Sequence, residues 1–183
     1  MKKGILIALV ALVSMNLSAQ KAFTKSAKVA FAASSPIEKI EATTSKGTLV
    51  VDAATARLEA AVLVKGFHFE RALMEEHFNE NYMESGKFPQ ATFAGDITDM
   101  KSIDVKKDGD YAVNIKGKMT LHGITKDLAT KGTLTVKGGV IVAAKSSFAV
   151  KLADFGIAIP SAVADKIAKE AKVDISGSLL PLK

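Results

Sequence analysis

Three histidines are the side chains best suited to proton transfer or metal binding near neutral pH. His68 and His77 bracket a predicted helix, and His122 precedes Gly123 between two predicted strands. Metal sites built from histidine use short, fixed ligand spacings or neighbouring acidic residues, and these three have neither. We therefore predict no metal site, and we expect His122 to lie near a polar rim.

The sequence signatures of the common catalytic sites are absent. There is no G-x-S-x-G elbow, H-E-x-x-H helix, P-loop or dinucleotide-binding G-x-G-x-x-G. The chain therefore lacks the nucleophile, the pair of metal ligands or the phosphate-binding loop that each of these sites requires. Asp104 and Asp108 begin like a calcium loop, but Lys106 stands at a ligand position and Ile115 at that of the bidentate glutamate. The sequence predicts a non-enzymatic protein without a cofactor.

One long strand pair, residues 110–136, organises the elements around these residues. From Tyr111 to Leu121 the apolar residues hold one parity and the polar residues the other, and the alternation resumes after Gly123. This period of two is typical of strands that are buried on one face. Similar alternation recurs along most of the chain, with turn residues between the runs, which favours a curved antiparallel sheet.

One stretch, residues 69–81, departs clearly from the strand period. Leu73, Met74, His77 and Phe78 recur at spacings of three and four, with glutamates at several of the remaining positions. This pattern predicts an amphipathic helix whose apolar stripe lies on the sheet.

A second short helix is predicted after Pro160, where Ser161 can cap a segment with Val163, Ile167 and Ala171 on one side. About eight antiparallel strands with two short helical insertions suit a barrel or a sandwich. A closed barrel is favoured because closure removes exposed edge strands. A barrel of about eight strands can enclose one small ligand. The predicted fold class is therefore all-β, an antiparallel barrel.

The first 19 residues have the features of a secretory signal peptide. Two lysines precede the apolar run from Ile5 to Val13, and Ala19 ends a Leu-Ser-Ala cleavage site. The apolar run is too short to span a bilayer. We expect residues 1–19 to be removed on export and residues 20–183 to form a single domain. The product would be periplasmic or secreted, without a membrane span.

The composition narrows the chemistry further. The chain has 183 residues, no cysteine and a formal net charge of +6. Without cysteine there can be no disulfide or thiolate metal site, so the fold depends on its core for stability. The lysines are scattered over outward strand positions without tryptophan or an arginine cluster beside them. This indicates a solvated face and no nucleic-acid partner. A homodimer is left open.

Several inward positions of the predicted strands carry small residues. They are Gly95, Gly117, Gly132, Gly177 and Ala60. A filled barrel would place larger side chains there, so these residues could leave a cavity. Glycines at the same positions could instead bend the strands to close the barrel, with no ligand implied. The pattern by itself leaves both interpretations open.

Two separated motifs resemble the YceI-like family. Residues 118–126, Lys-Met-Thr-Leu-His-Gly-Ile-Thr-Lys, are similar to its L-T-(L/I)-(H/N)-G-(V/I)-T-K signature. Residues 87–93, Lys-Phe-Pro-Gln-Ala-Thr-Phe, are similar to its K-(Y/F)-P-x-A-T-F segment. Residues 152–157 and 173–177 also resemble the family's terminal strands. The opening strand departs from the family, because residues 29–36 lack the histidine of its F-x-(I/V)-x-H-(L/M) pattern.

The resemblance implies a lipocalin-like barrel that is exported and holds a polyisoprenoid or other long-chain amphiphile in its interior. It implies no catalysis, and some members of the family are linked to stress responses. We therefore predict an exported carrier or sequestering protein for such a lipid. One alternative is a non-catalytic protein-interaction module whose barrel is filled by its own side chains. Another is an enzyme acting on a lipid, which would need His122 or His77 beside a carboxylate at the cavity mouth.

The predicted binding site has three parts. An apolar cavity wall is expected from Phe31, Leu58, Val62, Val64, Phe93, Ile115, Met119, Leu134 and Phe148. A cover over one opening is expected from Leu73, Met74 and Phe78 of the helix, and a polar rim from His122 and Lys126. The wall would supply apolar contact area and no reactive group.

Overall fold

Strands make up most of the chain that the computed structural model describes, residues 21–182. In chain order they are β1 (Lys21–Ser34), β2 (Glu41–Asp52), β3 (Arg57–Leu63), β4 (His68–Phe69), β5 (Gln90–Ile97), β6 (Gly109–Leu121), β7 (Ile124–Lys137), β8 (Val140–Lys151), β9 (Ile167–Ser178) and β10 (Leu180–Pro181). The signal peptide predicted over residues 1–19 lies outside the described residues.

The strands form one antiparallel sheet that closes on itself. Their order is β10-β1-β9-β8-β7-β6-β5-β3-β2-β4, and β1 pairs with β2 as well as with β9. Strands β4 and β10 have two residues each, so eight longer strands build the wall. Closure pairs the backbone groups that an open sheet would expose along its edges. The prediction of an antiparallel barrel of about eight strands is confirmed.

The connections between strands carry the helical elements. Helix α1 (Ala72–His77) follows β4 and continues as a π-helical turn over Phe78–Tyr82, as the period of residues 69–81 predicts. The connection from β8 to β9 contains two 3₁₀ turns, Leu152–Phe155 and Ser161–Val163. Two further 3₁₀ turns are Val64–Gly66 and Met100–Ser102.

The second predicted helix, beginning at Ser161, is wrong. Only the turn Ser161–Val163 is helical there, and both Ile167 and Ala171 lie in β9. A spacing of four residues is also a multiple of two, so it places the two side chains on one face of a strand as well as of a helix. Pairing with β1 and β8 decides in favour of the strand, because it satisfies the backbone groups of this segment.

The central pair, β6 and β7, has the predicted geometry. Its register runs without interruption from Gly109 opposite Val136 to Leu121 opposite Ile124. The turn between the strands consists of two residues, His122 and Gly123, with φ of 50° and 74°. Two successive positive φ values match the twist of the flanking strands and allow the tightest hairpin. His122 therefore stands at the tip of a tight two-residue hairpin.

One end of the barrel is filled by apolar side chains. Leu49, Val51, Ile97, Leu134 and Val136 are each no more than 3% exposed and belong to one cluster. This packed end contributes core stability in place of the disulfides that the sequence cannot form. The larger open space lies at the other end of the barrel.

The four inward glycines do not create open space, so the interpretation that they leave a cavity is wrong for them, whereas Ala60, the fifth small residue, does line a cavity. Gly95 and Gly117 face each other across β5 and β6, and a Cβ on Gly117 would lie 2.5 Å from the Cα of Gly95. The ring of Phe93 covers both glycines, within 2.7 Å of either added Cβ. Added Cβ atoms at Gly132 and Gly177 would also meet neighbours within 3.0 Å. Close approach of the strands explains the glycines.

The turn between β2 and β3 depends on one buried carboxylate, that of Asp52. Its Oδ1 accepts hydrogen bonds from the backbone N–H groups of Ala54 at 3.0 Å and Thr55 at 3.3 Å. Lys21 Nζ lies 3.4 Å from Oδ2. Burial by itself raises the pKa of Asp52, but the N–H donors of Thr55 and Ala54, together with Lys21, outweigh it and lower the pKa below the ordinary 3.8.

We expect Asp52→Ala to lower the free energy of unfolding by about 2 kcal/mol at pH 7, because two turn N–H groups lose a charged acceptor. Since the folded pKa is lowered, the contribution of Asp52 is complete above the ordinary value and is lost as pH falls through the folded value. The difference from wild type should therefore shrink below about pH 4. Urea denaturation between pH 3 and pH 7 measures it.

The matched control is Asp127→Ala, which removes a carboxylate whose side chain is 86% exposed and, among residues 21–182, forms an ion pair with Lys118 alone. An exposed ion pair contributes little, so this variant should stay within about 0.5 kcal/mol of wild type. Equal effects of the two substitutions would contradict the role of Asp52 in the turn.

Candidate functional site

An apolar chamber of about 480 Å³ occupies the open end of the barrel. Its walls come from inward positions of the strands, and its outer side comes from α1 with its π-helical turn and from the connection between β8 and β9. The strand residues among them include Val29, Phe31, Val62, Met119 and Val173. Several of these side chains point inward and are still only partly buried, because part of their surface faces the chamber.

A group of four phenylalanines forms one side of the chamber. The ring centroid of Phe31 lies 5.3 Å from that of Phe67, 5.7 Å from that of Phe69 and 5.2 Å from that of Phe78. The four residues come from β1, from the segment after β3, from β4 and from the start of the π-helical turn that follows α1. Edge and offset ring contacts of this kind contribute beyond their buried area, so the group fixes the helix on the sheet.

A second, smaller cavity of about 110 Å³ lies deeper in the barrel. It shares five lining residues with the main chamber, which are Val29, Val62, Ala91, Met119 and Val173. The two cavities are therefore neighbours, and these five side chains lie between them. Leu49 and Leu134 line the smaller cavity and also belong to the cluster that fills the packed end of the barrel. The packed end therefore adjoins the smaller cavity.

All nine residues predicted for the cavity wall line one of these two spaces. Those on the main chamber are Phe31, Val62, Val64 and Met119, and those on the smaller cavity are Leu58, Val62, Phe93, Ile115, Met119, Leu134 and Phe148. The three residues predicted for the cover, Leu73, Met74 and Phe78, all line the main chamber. Their contact with a ligand stays a prediction.

The two residues predicted for the polar rim line neither space. Lys126 is exposed on β7, and His122 contacts Glu84 and the carbonyl of Phe155. The charged side chains on the main chamber are instead Glu38, Arg71 and Lys166, with His77 beside them. Sequence reasoning missed Glu38, Arg71 and Lys166, because they lie in separate connections with no common spacing.

The charges at the chamber are partly balanced. Arg71 donates to the carboxylate of Glu38 in an ion pair that joins the β1–β2 connection to the start of α1. Lys166 has no carboxylate within ion-pair distance among residues 21–182. The remaining lining is almost entirely apolar, so polar groups are concentrated on a few residues from the connections. Such an arrangement suits a molecule with a long apolar part and one polar end.

The histidines do not meet in one place. His68 lies 3.6 Å from Glu75, His77 lines the chamber, and His122 lies 2.9 Å from Glu84. Within the described part of the chain, no group of three histidine, cysteine, aspartate or glutamate side chains could hold a metal ion. His122 and Glu84 form the histidine–carboxylate pair that the lipid-enzyme alternative required, but they lie outside the residues that line the chamber.

The helical elements are short. In residues 21–182, none of them has the length and apolar composition needed to cross a bilayer.

A family model described as the YceI-like domain matches residues 21–179 of the chain. Among curated proteins, a UPF0312 protein of Shewanella oneidensis is 35% identical over 106 residues, which cover 54% of this chain and 49% of that protein. A UPF0312 protein of Pseudomonas fluorescens is 29% identical over 84 residues, covering 45% and 41%. The chain thus spans about half the length of the curated relatives it matches.

Two solved structures share the fold. A polyisoprenoid binding domain from Saccharophagus degradans superimposes with a TM-score of 0.73 at 10% identity, covering 89% of this chain and 99% of that one. BcnA of Burkholderia cenocepacia superimposes with a TM-score of 0.65 at 17% identity, covering 84% and 94%. At these identities the likeness establishes the architecture of the barrel.

Proposed function

Because the chain belongs to the YceI-like family, we propose that it is an exported, non-catalytic binding protein for a polyisoprenoid or other long-chain amphiphile. The observation that carries this proposal is the apolar chamber of about 480 Å³ at the open end of the barrel. Its volume lies in the range of about 300–1,000 Å³ that is usual for ligand pockets. The similarity in fold to a polyisoprenoid binding domain supports the same class of ligand.

The affinity would come from burial of the apolar chain. Each methylene transferred from water contributes about 0.8 kcal/mol, so eight methylenes supply roughly 6 kcal/mol before the cost of ordering the ligand. The phenylalanines Phe31, Phe67, Phe69 and Phe78 offer a large continuous apolar surface for this chain. The energy therefore depends on contact area and needs no charged partner inside the chamber.

The polar end of the ligand would lie where the charged lining residues are. Arg71 and Glu38 neutralise one another, which leaves Lys166 and His77, neither of which has an ion-pair partner within residues 21–182, to meet a polar group of the ligand. Leu73 is 61% exposed beside them, so α1 presents an apolar side chain both to the chamber and to solvent. We infer that ligand enters past α1, and that the helix acts as the cover.

The alternative of a protein-interaction module required a barrel filled by its own side chains. Packing of that kind is present at one end only, and the open end holds the chamber. We also propose that the protein is periplasmic or secreted. The formation of a homodimer is a proposal too, as is the class of the ligand.

Native mass spectrometry of protein purified from its own host tests the proposed function. We expect a lipid adduct that survives desalting, and we expect solvent extraction followed by tandem mass spectrometry to identify an isoprenoid or fatty chain. Delipidated protein should take up farnesol or palmitate with one-to-one stoichiometry. Repeated recovery of ligand-free protein that also fails to bind either compound would contradict the proposal.

A further inference from the structure

The main chamber and the smaller cavity are divided by a partition of five inward side chains, which are Val29, Val62, Ala91, Met119 and Val173. They come from β1, β3, β5, β6 and β9, so five of the eight longer strands contribute to the partition. Each of these side chains lines both cavities. Passage of an apolar chain from one cavity to the other therefore depends on how they can move.

The members of the partition differ in side-chain mobility. Three are valines, and a valine in a strand is stiff at χ1 because two methyl groups branch from its Cβ. Ala91 has no methyl-bearing torsion that could swing aside. Met119 is unbranched and has three rotatable bonds, so its thioether can take several positions. Met119 is thus the member of the partition that can open a passage without movement of the backbone.

There is open space on either side of Met119. Its side chain is only partly buried, although it stands at an inward position of β6, opposite Phe93. It packs against the buried cluster that contains Val64, Met83 and Val150, and all three of these line the main chamber. A methionine that merely fills a gap in a core is enclosed by its neighbours. Met119 instead has room to swing toward the main chamber.

The far side of the smaller cavity is formed by the packed end of the barrel. Leu49, Val113 and Leu134 line the cavity there, and none of them is more than 3% exposed. An apolar cavity of about 150 Å³ stays dry and takes up benzene or xenon. The smaller cavity, with about 110 Å³, is therefore of a size for the end of a hydrocarbon chain.

Two hydroxyl groups on the wall of the smaller cavity do not make it a polar site. The hydroxyl of Ser146 donates to the carbonyl oxygen of Lys131 at 2.7 Å. The hydroxyl of Thr130 lies 3.4 Å from the carbonyl oxygen of Ser147 and donates to it. Both protons are thus used within the protein, so an apolar group can occupy the cavity without leaving a buried donor unpaired.

We propose that the smaller cavity is a second compartment for the far end of an apolar chain, and that Met119 is the specificity-determining residue that admits it. A short chain stays in the main chamber. A longer chain displaces the Met119 side chain and continues into the smaller cavity. The preferred ligand is thus an amphiphile with one flexible chain that is longer than the main chamber holds. The part of this inference that concerns the ligand rests on the proposed function, whereas the mobility of Met119 does not.

The selection of chain length follows from burial. Two further methylenes that leave water for the smaller cavity strengthen binding slightly more than tenfold. Displacement of Met119 costs little, because its side chain moves into open space and has no branch to strain. Affinity should therefore keep rising with chain length after the main chamber is filled, and it should stop rising when the end of the chain meets Leu49 and Leu134.

Ala60→Leu fills the smaller cavity and leaves the partition intact. Ala60 stands at an inward position of β3, opposite Leu49 and Phe93, and it lines the smaller cavity but not the main chamber. We expect the affinity for arachidate to fall at least tenfold and that for decanoate to stay within about twofold of wild type. Competition against a fluorescent C16 fatty acid measures both, after its own dissociation constant is determined for each variant.

Two results with Ala60→Leu would overturn the proposal. One is an unchanged affinity for arachidate, and the other is an equal loss for arachidate and decanoate. Urea denaturation is the check on folding, and its midpoint should stay close to that of wild type, because the added side chain enters open space. A variant that fails to fold would show that this space is already filled, which also overturns the proposal.

Met119→Leu tests the partition itself. Leucine has a similar volume, so the fold should be kept, but its end is branched and it has fewer rotatable bonds. We expect the affinity for arachidate relative to decanoate to fall about tenfold. Met83→Leu is the matched control, because Met83 lines the main chamber alone, and it should leave this ratio unchanged. The same ratio in wild type and Met119→Leu would overturn the role of Met119.

Ligand-free protein tests the partition without any lipid. Under xenon pressure, the methyl NMR signals of Leu58, Ile115 and Leu134, which line the smaller cavity only, should shift in wild type and not in Ala60→Leu. The carbon-13 shift of the Met119 methyl, assigned by its loss in Met119→Leu, should show averaging between rotamers. A single fixed rotamer, or no effect of xenon on these methyls, would overturn the proposal.

The two sets of measurements separate this proposal from the proposed function. If wild type binds none of the three fatty acids, the proposed function fails, and the xenon and methyl measurements still decide whether Met119 opens the smaller cavity. If wild type binds the fatty acids but neither Ala60→Leu nor Met119→Leu changes the preference for the longer chain, the proposed function stands and the role of the smaller cavity fails.

Discussion

Ala91→Phe is expected to lower the affinity for long-chain amphiphiles at least tenfold while the protein stays folded. Ala91 lies on β5, is only partly buried, and lines both the main chamber and the smaller cavity. A phenylalanine ring at this position would occupy the space where the two cavities meet. Displacement of two methylenes of ligand already costs about 1.6 kcal/mol, which corresponds to slightly more than a tenfold change in the dissociation constant.

The stability of Ala91→Phe tests the chamber independently of any ligand. A ring added to a well-packed core usually costs about 1–3 kcal/mol, because neighbours must move. A ring that enters empty space buries its own apolar surface and should leave the free energy of unfolding within about 1 kcal/mol of wild type. Urea denaturation gives the stability, and titration with the fluorescent C16 fatty acid gives the affinity.

Ala94→Phe is the matched control for this experiment. Ala94 stands three residues further along the same strand and is exposed on the outer face, opposite Glu59 and Lys118. The same substitution there adds the same ring on the solvent side, so affinity and stability should both remain close to wild type. Undiminished binding by Ala91→Phe would mean that the ligand does not occupy the chamber, and strong destabilisation would mean that the space was already filled.

Gly117→Ala is expected to lower the free energy of unfolding by about 3 kcal/mol, the upper end of the usual cost of overpacking. The added Cβ would lie 2.5 Å from the backbone oxygen of Ala94 and from the Cα of Gly95. Backbone atoms of a paired strand cannot move away as the end of a flexible side chain can. Strands β5 and β6 would have to separate at this point, and the Phe93 ring, 2.6 Å from the same position, would have to leave it.

Gly86→Ala provides the comparison, since a Cβ on Gly86 would meet no atom within 4 Å and the residue has no positive φ. This variant should match wild type or exceed it slightly, because alanine reduces the conformational entropy of the unfolded chain. Urea denaturation of both variants measures the difference. If Gly117→Ala proved as stable as Gly86→Ala, then close approach of the strands would not be the reason for the inward glycines.

Much of the barrel follows from local patterns. The alternation from Tyr111 to Leu121 and its continuation after Gly123 predict β6, β7 and the tight turn between them, because the backbone of a strand sends successive side chains to opposite faces. The same rule identifies the inward residues, which is why all nine predicted wall residues line a cavity. Residue period also identifies α1, since a spacing of three, as from Met74 to His77, places two side chains on opposite faces of a strand but on one face of a helix.

Local patterns fail where two structures share a period. Ile167 and Ala171 fit a helix as well as a strand, and pairing with β1 and β8 decided between them. The glycines show the same ambiguity in another form. A small inward residue is compatible with empty space or with close packing, and only the approach of Phe93 to Gly95 and Gly117 distinguishes the two.

The sequence by itself determined which side chains face inward, because that property depends on each residue's parity within its own strand. It did not determine whether those side chains meet, because filling depends on how far apart the opposite walls lie once the barrel is closed. Nor did it reveal that Glu38 meets Arg71 or that His122 lies between Glu84 and Phe155. Those contacts join segments more than thirty residues apart, and closure of the sheet brings them together.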